Sequence, residues 1–99
     1  MKETGEYTII YDGCGHREMF LKADGILSFV EETCNVNGST YLECVVRSEV
    51  MEAELENPAL SGGSFTGKMT MLFGNYDGLD RFHQFCDDRG IDTMTLTWQ

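Results

Sequence analysis

An Asp-Gly pair followed by an apolar stretch occurs twice in this chain, as Asp24-Gly25-Ile26-Leu27-Ser28-Phe29 and as Asp77-Gly78-Leu79-Asp80-Arg81-Phe82. A cysteine follows each copy, Cys34 and Cys86. A run suited to a strand precedes each, Met19-Phe20-Leu21 and Met69-Thr70-Met71-Leu72-Phe73, and another follows, beginning at Tyr41 and at Met94. Aspartate is a good helix N-cap, because its carboxylate accepts from the first unpaired N–H groups. After Asp24, the residues Ile26, Leu27, Phe29, Val30, Thr33 and Cys34 recur with a helical period, leaving Ser28, Glu31 and Glu32 outside. After Asp77, the inward set is Leu79, Phe82 and Cys86. The repeat predicts helices over 24–35 and 77–89, ended by Asn35-Val36-Asn37-Gly38 and by Arg89-Gly90.

The intervening segments read as strands. Residues 6–12 are aromatic and β-branched, and the turn Gly13-Cys14-Gly15-His16 joins them to a partner over 17–22. Residues 40–48, 66–73 and 92–98 follow, with Met69, Met71 and Phe73, and then Met94, Leu96 and Trp98, facing inward. Residues 48–57 fit either a helix or a strand, and the strand is preferred by analogy with the first unit. Residues 58–64 read as a loop. The order βαββαβ predicts an α+β fold: a ferredoxin-like sandwich with an antiparallel sheet, two helices on one face and an extra N-terminal hairpin strand. Phe29, Phe82, Met71 and Leu96 are expected to share the core. At 99 residues the chain is expected to be one domain, 1–99.

Charge restricts the function. Seventeen acidic residues face seven basic ones, a formal net charge of −10. From Ala23 to Gly67 the one basic residue is Arg47. Nucleic acid and anionic lipid are disfavoured partners, since binding them needs Lys and Arg to displace counterions. A basic protein surface is favoured by steering and complementarity. Glu49, Glu52, Glu54 and Glu56, with Glu31 and Glu32, are the candidate partner-binding residues. On a strand, alternate glutamates would repeat at about 6.6 Å along one face. Two such rows would approach the charge density of a phosphate backbone.

Other constellations are weaker. Cys14, His16, His83 and Cys86 offer zinc-type ligands but lack a structural-zinc spacing. Cys14 near His16 lies in acidic surroundings, which oppose a reactive thiolate. Asp87, Asp88 and Asp92 lack the alternating oxygen ligands of a calcium loop. The stretch from Gly62 to Lys68 lacks Walker spacing, and a strand is expected after it where a phosphate loop needs a helix N-terminus. The expectation is no catalytic residue, no metal, no cofactor and four reduced thiols. The N-terminus lacks a signal-peptide core and no run approaches a membrane span, so the cytoplasm is the expected location. The functional expectation is a small acidic, non-enzymatic binding protein. Its most specific form is an inhibitor that fills the nucleic-acid-binding groove of a basic protein. The alternative is a small-ligand or regulatory module acting as a dimer.

Overall fold

The computed structural model describes residues 6–13, 15–56 and 63–98, with the side chain of Trp98 excepted. Within them the order is β1 (Thr8–Gly13), β2 (His16–Ala23), β3 (Ile26–Asn35), β4 (Gly38–Arg47), α1 (Ser48–Leu55), α2 (Phe65–Phe73), α3 (Gly78–Asp88) and β5 (Met94–Trp98). The five strands form one sheet in sequence order, each antiparallel to its neighbour. The α+β class therefore stands, but the ferredoxin-like order does not. Four strands run as a meander, and the helices come together before the last strand.

The first Asp-Gly pair accounts for the largest departure. Asp24 and Gly25 both take positive φ, 57° and 77°. That is the requirement of a two-residue hairpin turn whose twist matches its strands. The segment predicted as a helix over 24–35 is therefore β3, with Ala23 opposite Ile26. Leu27 and Phe29 point to the helices with period two, which the adjacent apolar residues Ile26 and Val30 obscure in the sequence. The closing stretch, Asn35 to Gly38, is a second two-residue hairpin.

Residues 48–55 are a helix, not the preferred strand. Met51 and Leu55, four apart, are buried, and the intervening residues are good helix formers. Ser48 N donates to Gly25 O at 2.9 Å, seating the helix start on the β2–β3 turn. Lys68 Nζ donates to Leu55 O at 2.7 Å, satisfying a carbonyl that the helix end leaves unpaired. The expected strand over 66–73 is also a helix, α2. Ser64 caps it, its Oγ accepting from Gly67 N at 3.0 Å. Met69 and Phe73 face inward while Met71 is 54% exposed, a helical and not an alternating pattern. A helix thus does follow the Gly-Ser stretch, but Lys68 is turned onto α1.

Only the second Asp-Gly copy begins a helix. Its cap differs from expectation, because the Asp77 carboxylate accepts from Arg81 Nε at 2.9 Å and makes no capping bond to the first-turn N–H groups of the helix. Leu79, Phe82, Phe85 and Cys86 form its buried stripe. All three helices of the described residues contribute to one core on one face of the sheet, with Phe20, Leu27, Phe29, Cys44 and Val46. Phe29 and Phe82 stack at 4.6 Å, and Phe73 stands edge-on to both. Leu96, expected beside them, is 43% exposed on the other face, as is Met94 at 61%. The register explains the inversion: Thr95 lies opposite core-facing Cys44, and His83 Nε2 lies 3.3 Å from its hydroxyl.

Candidate functional site

Two charged regions lie at opposite ends of the sheet. At the end where β4 passes into α1, the acids of α1 meet the turn between α3 and β5. Arg47, Val50, Glu54, Arg89, Gly90, Ile91 and Asp92 line a cleft there of about 300 Å³. Arg47 pairs with Glu49, and Arg89 Nε lies 3.3 Å from Glu54 Oε1. Glu52 accepts from Lys22 Nζ at 2.8 Å and from Ser48 Oγ at 3.1 Å. The lysine holds the Glu52 carboxyl below its ordinary range. Asp87, Asp88 and Asp92 are exposed and form no ion pair among the described residues. On a helix the four glutamates no longer form one row: Glu52 and Glu56 share a face, and Glu54 turns to α3. Glu31 and Glu32 stand apart from all four. Adjacent on β3, they face opposite sides of the sheet, Glu31 toward His16 and Glu32 toward Arg17 and the Tyr41 hydroxyl, 3.0 Å away.

The second region lies where β2 and β3 meet the start of α3. Glu18 and Glu31 are directly opposed across the strands, and His16 precedes Glu18 on the same face. His16 Nε2 is 2.5 Å from Glu18 Oε2 and 3.2 Å from Glu31 Oε2. His16 Nδ1 lies 3.4 Å from the Thr33 hydroxyl. The Tyr76 ring covers the imidazole at 4.4 Å. Glu18 is fully buried, and its Oε1 has no hydrogen-bond partner among the described residues. Gly78 sits against it: a Cβ there would lie 3.0 Å from Glu18 Cγ and 2.2 Å from Phe73 O, so only glycine fits. Desolvation, and then the facing Glu31 carboxylate, push the Glu18 carboxyl up to about 9.

The zinc-type set considered from the sequence is not brought together. His83 contacts Thr95, Cys86 is sealed in the core, and Cys14 lies outside the described residues. Cys34, Cys44 and Cys86 are free, and burial pushes Cys44 up to about 11 and Cys86 to about 12, away from thiolate chemistry. Cys34, expected inward on a helix, is exposed on β3. Among the described residues no helix is long and apolar enough to cross a membrane. Comparison with protein-family models, with curated proteins and with solved structures finds no match.

Proposed function

We propose that the chain is a small acidic binding protein that docks on a basic protein surface through the end formed by α1 and the α3–β5 turn. One observation carries this reading: every described base is already engaged. Arg17, Lys22, Arg47, Arg81 and Arg89 are each ion-paired, and Lys68 is held by a backbone carbonyl. The surplus acids, among them Asp87, Asp88 and Asp92, are left to attract an external cationic surface. Of the glutamates singled out in the sequence, Glu54 lines the same cleft as Asp92 and Glu49 lies on neighbouring Arg47, whereas Glu52 and Glu56 lie on the side of Lys22 and Lys68, and Glu31 and Glu32 lie at the other end of the sheet. The finer form is an inhibitor occupying a nucleic-acid groove, and competition tests it. Proteins captured on the immobilised chain should elute with salt and be displaced by a short DNA duplex. Elution by salt without displacement by DNA would keep basic docking and remove the nucleic-acid mimic.

A dimeric regulatory module is the second reading, supported by the sheet face turned away from the helices. Toward its margins Ile9, Ile26, Met94 and Leu96 are all at least 43% exposed, while Met19, Leu21 and Val30 at its middle are buried, and no helix covers this face among the described residues. Sedimentation should give the monomer mass of 11.2 kDa if that face is free. Twice that mass, reduced to the monomer by Leu96→Glu, would favour the second reading.

A further inference from the structure

The geometry points to a binding site for a divalent transition-metal ion of the zinc type, formed by His16, Glu18 and Glu31 beneath Tyr76. It is separate from the acidic docking end and does not depend on that function. One imidazole nitrogen and two carboxylates place their ligand atoms within 4.8 Å of one another. Zinc holds such nitrogen and oxygen donors at about 2.0–2.2 Å, so neighbouring donors in a tetrahedron stand about 3.4 Å apart. The 3.2 Å from His16 Nε2 to Glu31 Oε2 is already close to that spacing. The 2.5 Å contact to Glu18 Oε2 is a hydrogen bond that must open when the ion enters.

Three features distinguish this cluster from a solvated acidic patch. The two carboxylates directly face each other across the strands, an arrangement that is destabilising without a cation or a shared proton. Glu18 is fully buried and its Oε1 has no hydrogen-bond partner among the described residues, a lone pair that a bound ion would use. The Thr33 hydroxyl accepts from Nδ1–H of the corresponding tautomer at 3.4 Å, which frees the Nε2 lone pair toward the carboxylates, the arrangement that metal-binding histidines adopt. The imidazole favours zinc-type ions over magnesium and calcium, which prefer oxygen donors alone. The Glu31 side chain is 19% exposed, leaving that side open for a water as fourth ligand.

The test uses chelator-treated protein carrying Cys14→Ser and Cys34→Ser, so that these thiols do not compete. Calorimetric titration should give one equivalent of Zn²⁺ bound at micromolar Kd or tighter, with Mg²⁺ silent. Glu31→Gln should weaken zinc at least tenfold. The chain has two histidines, so NMR reads the site without a further change to it. One equivalent of Zn²⁺ should shift the His16 ring signals and leave those of His83 in place. A Co²⁺ derivative should show d–d bands without thiolate charge transfer. Absence of zinc binding, a shift at His83 in place of His16, or a thiolate band would each overturn the site.

Discussion

Replacing Phe82 by alanine is expected to lower the unfolding free energy by about 3–5 kcal/mol, through lost transfer energy and the cavity left behind. The ring has no exposed surface. It stacks on Phe29 from β3 and meets Phe73 from α2 at 5.2 Å. One side chain of α3 thus joins the sheet to a second helix, and aromatic neighbours on two sides leave little freedom for collapse. Urea unfolding of the wild type and of Phe82→Ala measures the difference. A loss below about 1 kcal/mol would mean that the α3 stripe does not face the sheet as described.

Glu18→Gln should stabilise the metal-free protein at pH 8 by about 2–4 kcal/mol, and the gain should fade toward pH 5. Glu18 is the reason for the sign. Its carboxyl ordinarily titrates near 4.5 and in the folded chain near 9. Between those values the folded state holds a proton that the unfolded chain releases. The contribution of Glu18 is therefore complete below about pH 4.5 and is lost as pH rises toward 9. Desolvation is the largest cause, followed by Glu31, with Asp80 adding to it and the Leu79 backbone opposing it. His16 is the remaining facing group, 2.5 Å away, and the short contact requires a proton between the two. Gln keeps an acceptor oxygen and is neutral in both the folded and the unfolded chain, so it has no proton to take up on folding. Thermal unfolding of both proteins from pH 5 to pH 8 reads the effect. Parallel pH profiles would contradict the described burial of Glu18. The same substitution should weaken zinc, so stability and metal affinity should move in opposite directions.

The amphipathic stripe of α3 was legible because Leu79, Phe82 and Cys86 fit a helix and no alternation. Strands β1, β2 and β4 were legible from β-branched and aromatic residues. Asp24-Gly25 was not, because the pair serves equally as a helix cap and as a hairpin turn, and the solid apolar run Ile26-Leu27 with Phe29-Val30 fits both periods. Helix α2 was missed because Met69, Met71 and Phe73 alternate; the Ser64 cap was the contrary signal. Those two errors hid the buried cluster. Once Asp24-Gly25 is a two-residue turn, counting back five pairs from Ala23 and Ile26 sets Glu18 opposite Glu31. The burial that makes the pair unusual comes from α3 lying over it, which no local pattern encodes. The acidic surplus was plain in the composition, but its distribution needed the ion pairs.

Association kinetics with the captured basic partner test the docking end most directly. Asp87→Asn, Asp88→Asn and Asp92→Asn together remove three charges that pair with no base among the described residues, so stability should barely change. At low salt the triple variant should associate at least tenfold more slowly than the wild type, and the two rates should converge as salt rises. Equal rates at low salt, with both proteins folded, would contradict an acidic docking surface at this end of the molecule.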